Sequence, residues 1–141
     1  INKERFTKPK KKLKNNMKTK VKTTKAPKAA GPYSQAIIVE NFVFTSGQIH
    51  LTLEGKLLEG TIEEQTHQVM KNLKAVLEAS SITFAEVVKT TIYVINMGDY
   101  GKINEVYSSY MTDPFPARET VCVKALPLGA RVEISMVAIK N

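Results

Sequence analysis

The chain has 141 residues, of which 43% are hydrophobic, enough for one domain with a real core and too few for two ordinary ones. Its net charge of +8 is unevenly spread: residues 1–28 carry 12 Lys/Arg and one acid, whereas residues 29–141 carry the other 9 Lys/Arg and 12 acids, a net of −3 (9 − 12), so a nucleic-acid reading attaches to the tail and not to the body. No apolar run approaches a membrane span, and the single cysteine, Cys122, rules out an internal disulfide and fits a reducing compartment.

Residues 1–25 are rich in Lys, Asn and Thr with isolated apolar positions, so no face can pack, and a basic disordered extension is expected there, followed by one domain over residues 26–141. The first residue is Ile1 and not Met, which reads as a processed or truncated start, with Met17 as an alternative one. The run Pro9-Lys10-Lys11-Lys12-Leu13-Lys14 has three readings: a nuclear-localisation or polyanion-binding patch, an acid-poor transit peptide, or an incidental solvated extension. The expected location is cytoplasmic, with organelle or nuclear targeting by this segment left open.

From Ala26 the pattern is globular. Ile37-Ile38-Val39 and Phe42-Val43-Phe44-Thr45-Ser46, separated by Glu40-Asn41, read as a β-hairpin. Lys56 to Glu59, bracketed by Gly55 and Gly60, reads as an edge strand or loop. Thr61-x-x-Glu64 is a capping-box pattern opening a helix to about Ala79, with Ile62, Val69, Met70, Leu73, Val76 and Leu77 at helical spacing. Thr83-x-x-Glu86 caps one further turn. Val87 to Ile95 is β-branched and apolar on both faces, the mark of a central strand. Asp99 is expected to cap a second helix with Ile103, Val106, Tyr107, Tyr110 and Met111 on its buried stripe, stopped by Pro114 and Pro116. Two strands follow, near 118–125 and 130–139, and the turn residues between them read as a hairpin.

The order β-β-α-β-α-β-β predicts an α+β fold, a single mixed β-sheet with two helices packed on one face. Phe42, Phe44, Ile92, Val94, Val121, Val123, Ile134 and Met136 cannot all face two helices, so the second sheet face is expected to be covered by oligomerisation.

Within the last two strands, Arg118 enters the first and Glu133 lies inside the second. The pair reads either as a structural ion pair or as a site in which Arg holds an anion and Glu moves a proton. By alternation alone Glu133 faces solvent, sharing parity with Arg131 and Ser135. Tyr33, in Gly31-Pro32-Tyr33-Ser34-Gln35, is a loop aromatic that packs over the core edge or walls a site. Ser46-Gly47-Gln48 interrupts an apolar strand, where glycine marks a bulge or a close approach. Asn104 is by default a solvated helix residue, and Cys122 a small core or interface residue. His50 and His67 are far apart, and no metal-ligand spacing, P-loop, dinucleotide fingerprint or nucleophile elbow is present.

Taken in register, Ala26-Pro27, Gly31-Pro32-Tyr33-Ser34-Gln35-Ala36, Thr45-Ser46-Gly47-Gln48-Ile49, the Gln65-to-Leu77 helix, Asn104-Glu105-Val106-Tyr107, Pro116-Ala117-Arg118 and Leu126-Pro127-Leu128-Gly129-Ala130-Arg131-Val132-Glu133-Ile134 closely resemble the reactive intermediate deaminase (Rid, YjgF-type) family from about residue 19 to the end. The resemblance implies a chorismate-mutase-like subunit in a homotrimer with pockets between neighbours. It implies hydrolysis of 2-imino acids and their enamine tautomers, released by pyridoxal-phosphate enzymes, to 2-oxo acids and ammonia, with no metal or cofactor. Carried over, it implies that Arg118 grips the substrate carboxylate and that Glu133 orients the attacking water and moves its proton. Tyr33 lines the pocket, Ser46 and Gly47 supply loop backbone, and Asn104 shapes the wall. Thr120 stands where many members have Cys, at a point where the backbone meets the imine. Two other functions stay open: an RNA-binding or RNA-cleaving translation inhibitor, and a non-catalytic ligand-binding trimer.

Overall fold

A computed structural model describes residues 17–141. The expected extension therefore lies outside the described residues as far as position 16, and from residue 17 the expectation of disorder is corrected. Thr19–Val21 forms a strand, β1, paired antiparallel with β2 (Ala36–Val39), and Val21 is buried. Three residues flanked by lysines carry too little pattern to announce a strand. The backbone ladder to β2 and the burial of Val21 hold it.

β2 and β3 (Phe42–Thr45) form the expected hairpin, with Glu40 at φ 52 in its turn. The short β4 (Gln48–Ile49) pairs with β7 (Val132–Ile139), as β3 does further along. Between those two pairings Thr45, Ser46 and Gly47 face only Ser135 and Met136, so the chain bulges at Ser46-Gly47. Lys56 to Glu59 contributes no strand, only the isolated bridge Leu51 to Leu57.

Helix α1 (Ile62–Ala79) starts where Thr61 predicts, its side chain accepting from the Glu64 N–H at 3.2 Å, a cap that contributes about 1 kcal/mol. Val69, Met70, Leu73, Val76 and Leu77 are fully buried along one stripe, each side chain stabilising the fold by about 1.5–3 kcal/mol. Thr83 and Glu86 close their capping box around a 3-10 turn, leading into β5 (Val87–Val94).

Helix α2 (Tyr100–Ser108) departs from expectation at both ends. Asp99 makes no cap hydrogen bond; both of its carboxylate oxygens instead accept from Arg131 Nη2 at 3.3 Å. A full opposite charge outcompetes backbone N–H groups for that carboxylate. The helix also ends before Tyr110 and Met111, although Met111 remains buried and Tyr110 packs against the core.

The sheet order is β1-β2-β3-β7-β5-β6, with β6 spanning Ala117–Cys122. β6 runs parallel to β5 and β7 antiparallel to it. The expected hairpin of β6 with β7 is therefore incorrect: β5 lies between them. Its long β-branched run, apolar on both faces, takes a neighbour on each edge. The link from β6 to β7 includes a 3-10 turn, Pro127–Gly129.

Both helices cover one sheet face, where Ile92, Val94, Val132, Ile134 and Met136 are buried with the helix stripes in a single core. On the other face Phe42, Phe44 and Val121 are 39%, 44% and 40% exposed, and the two phenyl rings stack with centroids 6.0 Å apart. Of the eight residues expected to exceed the reach of two helices, Ile92, Val94, Ile134 and Met136 do face them, these three do not, and Val123 lies just past the end of β6. Among the described residues no helix is long and apolar enough to cross a membrane.

Candidate active site

Residues paired across strands point to the same face. Arg118 pairs with Thr90 on the helix side, whereas Glu133 pairs with Tyr93, of opposite parity along β5. Their positions are separated by three residues (about 10 Å) along β5 and by two strand spacings (about 10 Å) across it. Arg118 and Glu133 thus lie on opposite faces and line different cavities.

The Arg118 cavity, about 400 Å³, is lined by Asn104, Tyr107, Ser108, Phe115 and Pro116. Tyr100, Asn104 and Tyr107 recur at spacings of four and three, so α2 turns all three toward β6. Arg118 Nη1 donates to Asn104 Oδ1 at 2.8 Å and Nη2 to the Tyr100 hydroxyl at 2.8 Å. The guanidinium lies 5.0 Å from the Tyr107 ring centroid and 5.8 Å from that of Tyr100. The Tyr107 hydroxyl donates to Thr90 Oγ1 at 3.0 Å, and burial pushes its phenol above the ordinary value, so it stays neutral near pH 7. Among the described residues no carboxylate forms an ion pair with Arg118. Neutral acceptors fix the fork and leave its charge uncompensated, the arrangement that receives a carboxylate. Thr120, two residues on, is half-buried on the same face, and its Oγ1 has no hydrogen-bond partner among the described residues.

The Glu133 cavity, about 510 Å³, gathers Tyr33, Ser46 and Gly47 at the bulge. Tyr33 is 55% exposed, with its hydroxyl accepting from the Ala30 N–H at 3.2 Å. Ser46 is tied to the loop before β2: its Oγ donates to Ser34 O at 2.5 Å and its N–H to Gln35 O at 3.0 Å. Its hydroxyl is thus engaged in holding the bulge. A Cβ on Gly47 would meet the Glu133 carboxyl carbon at 2.8 Å, so the missing side chain is what lets the carboxyl lie against the loop. Glu133 is half-buried, and burial raises its pKa above the ordinary carboxylate range. A carboxyl tuned upward suits proton transfer near neutrality.

The candidates thus assemble as two sets, Arg118 with Asn104 and Thr120, and Glu133 with Tyr33, Ser46 and Gly47. Tyr100 and Leu128 were not anticipated. The spacing of Tyr100 to Asn104 could have shown the first. Leu128, 72% exposed at φ 58, lines the Glu133 cavity, and a non-glycine residue in that left-handed region is strained enough to suggest a task.

The family model described as Endoribonuclease L-PSP matches residues 23–140. The chain belongs to the Rid/YjgF/RutC family. It is 48% identical over 119 residues to the chloroplastic Reactive Intermediate Deaminase A of Arabidopsis thaliana, a match covering 84% of this chain and 64%, under two thirds, of that protein. To the 2-iminobutanoate/2-iminopropanoate deaminase of Mus musculus it is 44% identical over 122 residues, covering 86% of this chain and 90% of the mouse protein. The crystal structure of E. coli TdcF with bound serine superposes with a TM-score of 0.82 at 30% identity, covering 87% of this chain and 99% of that one.

Proposed function

We propose that this chain is a 2-imino acid deaminase, hydrolysing reactive imines and their enamine tautomers to 2-oxo acids and ammonia, in a homotrimer whose sites are completed across subunits. The observation that carries the reading is Arg118, a positioned guanidinium held only by neutral acceptors. Deaminase relatives at 44–48% identity support the reaction, and serine in TdcF supports an amino-acid-shaped ligand.

In this account Arg118 takes the substrate carboxylate, braced by Asn104 and Tyr100. The imine carbon then faces a Glu133 from the neighbouring subunit, with Tyr33, Ser46 and Gly47 forming the wall. Thr120 supplies backbone beside the imine. A protonated imine is electrophilic, so no covalent nucleophile is required. Water adds to carbon as Glu133 accepts its proton, a C–O bond forms, and the C=N π electrons move to nitrogen. Glu133 gives that proton to the carbinolamine nitrogen and then accepts the hydroxyl proton as the C=O π bond forms and the C–N bond breaks, so that ammonia leaves the 2-oxo acid. The exposed Phe42, Phe44 and Val121 offer the surface for assembly.

RNA cleavage by a histidine pair is disfavoured: His50 is in the core, 1% exposed, and His67 is hydrogen-bonded to the Tyr110 hydroxyl at 2.8 Å. Neither histidine lines the Arg118 or the Glu133 cavity.

The test is a coupled assay with a threonine dehydratase. Added protein should speed 2-oxobutanoate formation, and Arg118→Ala and Glu133→Ala should abolish the gain with the fold intact. Near-normal turnover by Arg118→Ala would sink the assignment.

A further inference from the structure

A third cavity, about 380 Å³, adjoins the Glu133 cavity and shares Lys28, Tyr33 and Gln35 with it. Three lysines line this groove, Lys20, Lys22 and Lys28, and no acid does; Glu133 is the one acid lining the cavity next door. No ion pair engages these lysines among the described residues. The loop that carries Lys28 is pinned. Buried Gln35 donates from Nε2 to Pro27 O at 2.8 Å and to Thr23 O at 3.1 Å, while its Oε1 accepts from the Thr23 N–H at 2.8 Å. The Ala30 N–H is held by the Tyr33 hydroxyl. A fixed backbone thus carries an uncompensated cation to the rim of the candidate site, and two more cations continue the field outward.

We propose that Lys28, with Lys20 and Lys22 behind it, forms an anion subsite of the active cleft, selecting 2-imino acids that carry a second, distal carboxylate, such as 2-iminoglutarate. The inference rests on the deaminase reading and names a substrate class for that site. Arg118 of the adjoining subunit takes the carboxylate beside the imine. The far carboxylate then reaches past Glu133 toward Lys28, whose charge offsets the repulsion between two acids. The shared lining favours a small substrate over a separate polyanion: one ligand can touch both cavities.

The test compares hydrolysis of 2-iminoglutarate and 2-iminobutanoate, generated in situ by amino-acid oxidases from glutamate and 2-aminobutanoate. The quantity read is the ratio of the two kcat/KM values. Lys28→Ala should lower the ratio of dicarboxylic to monocarboxylic substrate about fivefold, and Lys28→Glu further, as expected for a rim-exposed ion pair. Raising ionic strength should lower the wild-type ratio. Lys74→Glu on exposed α1 changes net charge equally and should leave it in place. A protein that hydrolyses 2-iminobutanoate with a ratio untouched by Lys28→Glu overturns this inference alone. A protein that hydrolyses neither imine overturns the deaminase reading and this inference with it.

Discussion

A Cβ placed on residue 47 would lie 2.8 Å from the Glu133 carboxyl carbon and 2.9 Å from Oε2, closer than real Cβ contacts come. The bulge at Ser46-Gly47 and the glutamate on β7 therefore fit only as a pair. Gly47→Ala should displace Glu133 and lower kcat about 100-fold, the scale of a misplacement near 1 Å, while thermal unfolding shifts little. Steady-state kinetics beside a melting curve checks this. Unchanged kcat would mean that the carboxyl position is not used.

The Arg118 fork predicts a graded series. Arg118→Lys keeps the charge but loses the bidentate geometry, and should fall well below wild type in kcat/KM. Asn104→Ala and Tyr100→Phe each remove one of the two 2.8 Å braces and should raise KM more than they lower kcat. Equal KM values across the series would contradict a carboxylate-binding role.

Glu133 predicts a pH dependence of definite sign. Its pKa is raised by burial, so the acid limb of kcat/KM should fall above the range of a free glutamate, and Glu133→Gln should abolish turnover. A raised folded-state value means that this group's contribution to stability is present below its unfolded pKa and is lost as pH rises through the folded one. Glu133→Gln should therefore unfold at a higher temperature than wild type at neutral pH, with the difference vanishing in acid.

His50 predicts the opposite trend. Its Nδ1–H donates to Leu58 O at 2.9 Å and its Nε2 accepts from the Arg131 N–H at 3.0 Å, so the neutral ring joins two loops. Burial, chiefly, lowers its pKa below 6.5. Its contribution is present above the unfolded value and is lost as pH falls through the folded one. His50→Phe leaves both partners unpaired and should destabilise the neutral protein by about 1–3 kcal/mol while flattening its pH dependence between pH 7 and 5, read by denaturant titration.

Much of this was legible in the residues. Thr61 and Thr83 announce their turns because capping is local, and the α1 stripe shows because one face is buried. The β6–β7 hairpin misled because turn chemistry between two strands does not reveal a third inserted between them. Asp99 misled because the partner that draws it away, Arg131, lies far along the chain. Glu133 is on the face that alternation gives it. What alternation cannot supply is that the bulge and the Tyr33 loop fold over that carboxyl and bury half of it. The split of Arg118 from Glu133 was invisible for the same reason as the hairpin error, since sheet order is non-local.

That split makes the site's completion across subunits the central claim. Arg118→Ala and Glu133→Ala chains, each inactive alone, should be co-expressed with different tags and the mixed trimers isolated. A mixed trimer holds one interface of its three where an intact Arg118 meets an intact Glu133, so the isolated mixed trimers should recover about a third of wild-type activity. Mixed trimers with no activity would contradict the account.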